Sequence, residues 1–372
     1  MNIFPNKSKL PNGILLATSQ NPGHTYGTIL RSTDFGETWV PQYNPPDENQ
    51  TLAICNNENV VCVGGGDNNG NRIYRSENYG ETFIDLGSQH PGTQVNNIIY
   101  LKDEIWLAGF LYAGVGNTSA IFRSTNNGKT WNNVFSINTV NWFRNFVTLP
   151  NNHIINVTSS PAYILKSHDL GKTWKIITSF GTNQTINKVI HVKNGILFAC
   201  TTHTSSLGKI YRSLDFGETW KLVYTNISGA AIINIVHCNG NIVAFKNSNF
   251  SVIVSNDMGN SWNTTFSTSD TGISNYEINP LGNLLCISTN ATGLINIYTS
   301  FDFATTFKLV TSITTQNQSY FYKLNDKTAF VMTVGSGTNS GQIWKTTDSG
   351  QTWKNKFIFG TNSGIYSMLY LK

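Results

Sequence analysis

Charge is scarce in this chain. Asp, Glu, Lys and Arg make up 12% of its 372 residues, about half of the roughly 25% usual in soluble domains. The formal net charge of +5 has no focus, because no run of Lys and Arg exceeds two residues. A basic stripe able to displace counterions from phosphates is missing, so nucleic acid is not an expected partner. Long apolar runs are also missing. The longest, "AAIINIV" at 230–236, falls far short of the roughly 20 residues that span a bilayer, so no membrane insertion is expected. The opening "MNIFPNKSKLPNGILLATS" lacks a charged start, a long apolar stretch and a small-residue cleavage site, so no signal peptide is read there. Five cysteines (Cys55, Cys62, Cys200, Cys238 and Cys286) show neither metal spacing nor a C-x-x-C pair. They read as buried strand thiols, and a four-residue turn "NNEN" at 56–59 would set Cys55 opposite Val60 rather than Cys62. No metal and no cofactor are expected. No stretch has the apolar period and length of a helix.

What the chain has instead is asparagine, 48 residues of it, together with abundant Ser, Thr and Gly. Such a surface is solvated by amides and hydroxyls, which suits a cell-surface, secreted or virion-borne setting. The chain also repeats itself. "RSTDFGETW" at 31–39 returns as "RSLDFGETW" at 212–220, and degenerate copies bring the number to eight. Their acidic or amide positions are Asp34, Asn78, Asn126, Asp169, Asp215, Asp257, Asp302 and Asp348, spaced 42 to 48 residues apart. A period near 45 that fills a chain signals a repeat architecture.

The letters around each copy choose strands. Short β-branched and aromatic runs such as "RIY", "AIF" or "KIY" precede the phrase, and "WKII" or "WKLV" follows it. Two further short strands come before these, separated by Gly, Asn or Asp turns. Each repeat is therefore a four-stranded antiparallel meander, which must stack face to face with its neighbours to bury both faces. The first repeat lacks an inner strand, and "GIYSMLYLK" at 364–372 is an inner strand with nothing after it. The expectation is all-β: one domain over 1–372, an eight-bladed β-propeller closed by the C-terminal strand completing the first blade, and monomeric.

The spacing Ser/Thr-x-Asp-x-Gly-x-Thr-Trp resembles the Asp-box, or bacterial neuraminidase repeat, of sialidases, sortilin-like receptors, two-domain xyloglucan hydrolases and photosystem assembly propellers. The resemblance covers the whole chain and implies a propeller; it implies no single activity, because functions on this scaffold differ. In the box, the hydroxyl and the carboxylate can accept backbone N–H groups across a tight turn, with Gly supplying positive φ. Asn78 and Asn126 retain an acceptor oxygen without a charge, so the box reads as a structural staple. Ala304, standing where other repeats have Gly, predicts a distorted turn.

Function is then expected in the loops on the face opposite the box turns. Sialidases of this fold converge three arginines on a carboxylate; here four of six arginines (Arg31, Arg75, Arg123 and Arg212) precede box serines, and only Arg72 and Arg144 remain. Another glycoside hydrolase needs two loop-face carboxylates about 5 to 10 Å apart. The acids on offer are Asp47, Glu48, Asp67, Asp85, Asp270 and Glu277, with Glu277 and Asp67 the catalytic candidates. Loop aromatics beside amides favour binding, because rings stack on sugars or flat protein surfaces. "NTVNWFRNF" at 138–146 offers Trp142, Phe143 and Arg144, and Tyr112, Tyr276 and Tyr320 come from other repeats. His191 and His237 occupy equivalent inner-strand places. The sequence reading is a non-catalytic binding propeller for a glycan or protein surface, with a glycoside hydrolase as the alternative. An assembly scaffold is set aside because no concentrated charged patch is visible.

Overall fold

The computed structural model describes residues 13–20, 27–45, 51–67, 70–88, 94–111, 118–138, 142–203, 207–227, 229–247, 250–270, 272–278, 284–289, 294–314, 318–335, 340–361 and 363–371; within these, the side chains of 51, 52, 67, 70, 71, 272–278, 289, 314, 318 and 361 lie outside the description. The described residues are strands and turns, with a single 3-10 turn at Pro150–Asn152. Repeats two to seven each form their own four-stranded antiparallel sheet in meander order. Repeats one and eight share an eight-stranded sheet, in which the C-terminal strand Gly364–Leu371 pairs with Ile14–Gln20 and touches Ala329–Val334 through the single bridge Val334↔Gly364.

Alternation along each strand puts apolar residues on both sheet faces, and the buried clusters show where those faces go. Each cluster draws on two consecutive repeats: Cys62 and Ile73 pack with Val95 and Trp106, and Leu107 and Ile121 pack with Phe143 and Leu165. One cluster joins Phe330 and Met332 of the last repeat to Leu15 and Leu30 of the first. The box Trp wedges into these layers. Trp39, Trp131 and Trp174 are buried, and Phe83 and Phe307 take the same place in their repeats. Burying a side chain of this size stabilises by about 2–3 kcal/mol.

The box turn is built the same way in all eight repeats. The Ser or Thr hydroxyl accepts the N–H two residues beyond the Asp, as Gly36 N–H does to Ser32 Oγ at 2.8 Å. The carboxylate accepts the N–H four residues on, as Thr38 N–H does to Asp34 Oδ1 at 2.9 Å. The residue after the Asp is left-handed in every repeat, with φ from 56° to 61° for side chains as different as Phe35, Asn127 and Ser349. At the next position a Cβ would collide with a side chain of the preceding repeat, for example Leu16 at 2.5 Å from Gly80. Ala304 departs from the expectation. Its turn is wound like the others, with φ 68° and its N–H on Ser300 Oγ at 3.1 Å. Its methyl is buried in one cluster with Val243, which is shorter than the Leu, Ile or Phe facing most of the glycines.

A second correction concerns Cys55 and Cys62, which stand directly opposite one another. The hairpin turns on Glu58 and Asn59 alone, with Glu58 left-handed, so pairing continues to Asn57↔Val60 and the register moves by two. All five cysteines are free thiols.

The cation before the box links repeats in five of six cases; the exception is Arg31, whose Nε is buried with no hydrogen-bond partner among the described residues. Arg75 Nε donates to Asn127 O at 2.8 Å, Arg123 Nε to Leu170 O at 2.9 Å, Lys166 Nζ to Phe216 O at 2.8 Å, and Lys345 Nζ to Phe35 O at 2.8 Å. Arg212 reaches Met258 O in the same manner. Each acceptor is the carbonyl of the left-handed residue in the next repeat, so a side chain whose sequence position explained nothing proves to be an inter-repeat clamp. Lys166 and Lys345 also bond Glu218 and Glu37 of the neighbouring turns.

Candidate functional site

The inner strands carry a second repeated feature, at the end away from the box turns. Register slips by one residue between Thr51 and Ala53, Val95 and Asn97, Phe143 and Asn145, Ile186 and Lys188, Ile232 and Asn234, and Ile273 and Asn275. The C-terminal strand slips where Thr18 pairs Ser367 and Ser19 pairs Ile365. Each slip is a bulge with one extra residue, which frees that residue from pairing and re-aims its side chain. The extra residues are Leu52, Asn96, Arg144, Asn187, Ile233, Ser274 and Tyr366, one from each of seven inner strands. One bulge thus recurs at the loop-side ends of these strands, and the extra residues with described side chains, Asn96, Arg144, Asn187, Ile233 and Tyr366, are chemically diverse.

Asparagines secure this arrangement. Inner strands leave one edge without a partner strand, and its N–H and C=O groups need satisfaction. Asn97 Nδ2 donates to Arg144 O at 3.0 Å and Asn187 Nδ2 to Ile232 O at 2.9 Å. Asn145 does both jobs on Val189, donating Nδ2 to its carbonyl at 3.1 Å and accepting its N–H at 3.3 Å. Here the abundant amides do the work of a ladder between neighbouring repeats.

The predicted binding residues divide. Trp142 is 39% exposed, and its backbone is fixed by reciprocal bonds with Ser159 (Trp142 N–H to Oγ and Ser159 N–H to Trp142 O, both 3.1 Å). Arg144 is exposed at the bulge, yet neighbouring protein atoms displace enough water to lower its pKa. Phe143 corrects the sequence reading. It opens the strand Phe143–Thr148 instead of lying in a loop, and at 1% exposed it packs against the repeat of Gly109, whose missing Cβ leaves it room. Tyr320 is half-buried, with its ring centroid 5.6 Å from that of Tyr366, and burial raises its pKa to about 12. Tyr366 donates its hydroxyl to Gln20 Oε1 at 2.6 Å. Sequence reasoning missed Tyr366, because a bulge is a property of pairing and leaves no letter of its own. Tyr112 lies outside the described residues. Tyr276, Glu277 and Asp67 lie on described strands, Glu277 opposite Leu285, but their side chains lie outside the description.

Two of the loop-face acids are described to their side chains, and both are engaged. Asp85 pairs with Arg72. Asp270 is buried and accepts from Asn296 Nδ2 at 3.1 Å, the Tyr298 hydroxyl at 2.9 Å and Ser288 Oγ. Burial opposes its charge, but these bonds more than offset that and hold its pKa low. A carboxylate saturated in this way is a clasp between the sixth and seventh repeats and a poor proton donor. His191 and His237 do fall at one register, opposite Leu197 and Ile242, and burial lowers both pKa values. Among the described residues no cluster of three or more His, Cys, Asp or Glu could hold a metal ion.

The family model described as photosynthesis system II assembly factor YCF48 matches residues 107–372. A xyloglucanase from a Paenibacillus species is 29% identical over 198 residues, 44% of this chain and 18% of that protein. Xyloglucanase Xgh74A from Acetivibrio thermocellus is 35% identical over 133 residues, 28% of this chain and 16% of that protein. The chain therefore spans less than about a fifth of the length of these curated relatives. Among solved structures, YCF48 bound to D1 peptide superposes with a TM-score of 0.50 at 15% identity, over 75% of this chain and 92% of that one. The GH74 xyloglucanase from Xanthomonas campestris gives 0.51 at 12% identity, over 92% and 70%. At such identities these likenesses show the fold alone, a β-propeller built from BNR-type repeats.

Proposed function

The chain belongs to the family of photosynthesis system II assembly factor YCF48, and we propose on that premise that it is a closed eight-bladed propeller acting as a non-catalytic binding module. Support for eight blades is the ring of buried clusters, each shared by consecutive repeats, with one returning from the last repeat to the first. The shared sheet then counts as two blades joined at one bridge. The eight box positions act as staples, since amide and carboxylate build the same turn.

The observation that carries the binding reading is the bulge layer with the exposed Arg144 two residues along the chain from the half-exposed Trp142. An indole fixed at its backbone and a guanidinium without a carboxylate partner among the described residues can stack on and hydrogen-bond a glycan or a protein surface. The family match brings back the assembly-scaffold class, which the sequence alone set aside. A protein surface is therefore the first partner to test, and a glycan the second. Trp142→Ala should keep the melting temperature within a few degrees and weaken binding at least about tenfold, roughly 1.4 kcal/mol. Binding would be measured on a D1-type peptide and on xyloglucan oligosaccharides, the ligand classes named for the relatives. Unfolding without a separable binding defect would move the site elsewhere.

Glycoside hydrolysis is the second reading, favoured by the xyloglucanase relatives. Glu277→Gln separates the two: a binding module retains most of its affinity, whereas a hydrolase using this acid loses nearly all turnover.

A further inference from the structure

We propose that the seventh repeat, the sheet of Gly272–Ile278, Leu284–Thr289, Leu294–Ser300 and Lys308–Thr314, is the opening joint of the ring, the unit that parts first from both neighbours on the box-turn face. The clamps locate it. Arg75, Arg123, Lys166, Arg212 and Lys345 each reach from the residue before their own box to the left-handed carbonyl of the next repeat. The same position in repeat six is Val254 and in repeat seven is Thr299. Neither side chain carries a cation. The joints on both sides of repeat seven therefore lack a bond that recurs elsewhere, and no other repeat is unclamped on both sides by residue type.

Independent features of the same unit agree. Thr299 is buried and its hydroxyl has no hydrogen-bond partner, so the joint to repeat eight spends a polar group where others place a clamp. The box turn of repeat seven holds the only left-handed alanine among the box turns, a conformation that costs about 1 kcal/mol relative to glycine. Phe307 stands where six repeats have Trp and gives up the indole N–H that Trp131, Trp174, Trp220 and Trp353 donate to their own box glycine. Among the described residues, repeat seven is held by apolar packing against both neighbours, by the Thr265 hydroxyl of repeat six donating to Ala304 O at 2.7 Å on the box-turn face, and by the Asp270 clasp to repeat six at the opposite, loop-side end. The arrangement is a hinge: closed at the loop side by Asp270, and on the box side held without a cationic clamp, by a single neutral hydroxyl bond from Thr265 toward repeat six.

Local opening is read by amide exchange, which reports the free energy of each cooperative unit. In the full chain, amides of Leu294–Ser300 should exchange at least about tenfold faster than those of Lys209–Ser213 in repeat five. Val254→Arg and Thr299→Lys, which restore the missing clamps, should slow repeat seven about tenfold and leave repeats three to five unchanged. Arg212→Ala should accelerate exchange at the joint between repeats five and six. Exchange in repeat seven as slow as in repeat five in the unaltered chain would overturn the proposal. So would folded Val254→Arg and Thr299→Lys variants that leave repeat seven unprotected while Arg212→Ala opens its own joint, since clamps would then matter and repeat seven would be loose for another reason.

Discussion

Asp215 and Asn78 show what a single box atom contributes. Both place an acceptor oxygen on the N–H four residues on, at 2.9 Å. They differ at the second atom: Thr219 Oγ1 donates to Asp215 Oδ2, whereas Asn78 Nδ2 donates to Thr82 Oγ1 at 3.0 Å. The threonine hydroxyl simply reverses its role. Asp215→Asn should therefore shift stability by less than about 0.5 kcal/mol, and Asp215→Ala should cost about 1–2 kcal/mol by leaving donors without acceptors; urea midpoints check both. Charge enters through pH. Burial opposes ionisation of Asp34, but bonds from Thr38 and Ser32 more than offset it and bring its pKa to about 2, and the Ser261 hydroxyl leads in bringing Asp257 to about 2. A folded pKa below the unfolded value, near 3.9, contributes stability above pH ~4 that is lost as pH falls through ~2. The urea midpoint should drop steeply across that window. A protein with Asn at Asp34 and Asp257 should show a shallower drop, and an equal drop would mean the box carboxylates are not the titrating groups.

At the scale of the strand and its turn, the sequence was legible wherever a local rule decides. The box phrase, the β-branched runs and the C-terminal strand all translated into observed pairings, because turn chemistry and alternation act within a few residues. What was not legible depends on pairing between strands. The bulges that aim Arg144 and Tyr366, and the two-residue turn that sets Cys55 against Cys62, are matters of register. Phe143 reads as a loop residue in sequence because the start of its strand, after a run of polar letters, is fixed by its partner, Thr158, and not by its own neighbours. The Ala304 turn departs from its letters for a reason outside the repeat: its methyl lies in one buried cluster with Val243 of the preceding repeat, the shorter residue expected to make room for it. That pairing can be tested. Val243→Leu should overpack the layer and cost about 1–3 kcal/mol, and Ala304→Gly should recover most of it. Additive effects in the double mutant, measured by denaturant midpoints, would show that the two residues do not share the space.

The proposed closure belongs to the whole molecule, because no single repeat can supply it. A lone meander leaves two apolar faces in water, and a row of meanders still leaves two; only a ring leaves none. Several independent contacts meet at the joint between the last and first repeats. Gly364–Leu371 pairs along Ile14–Gln20. Phe330 of the last repeat fills the place beside Gly36 as a side chain of the preceding repeat does at the other box glycines, and Lys345 clamps Phe35 O. Lys345 and Lys356 also share the Glu37 carboxylate, whose pKa is lowered first by the Lys345 bond. The surface ion pair with Lys356 is worth at most about 1 kcal/mol, so the strand and its buried Ile365, Met368 and Leu371 carry the joint. Deleting residues 363–372 should expose the ladder edge of Ile14–Gln20 and the faces of two repeats at once. The expected result is a fall of well over ten degrees in melting temperature, with rapid amide exchange in repeats one and eight before the remainder. Lys356→Ala, by contrast, should lower the melting temperature by no more than a few degrees. A truncated chain melting within a degree or two of the full-length one would mean that the ring does not depend on this strand, and the eight-bladed closure would have to be abandoned.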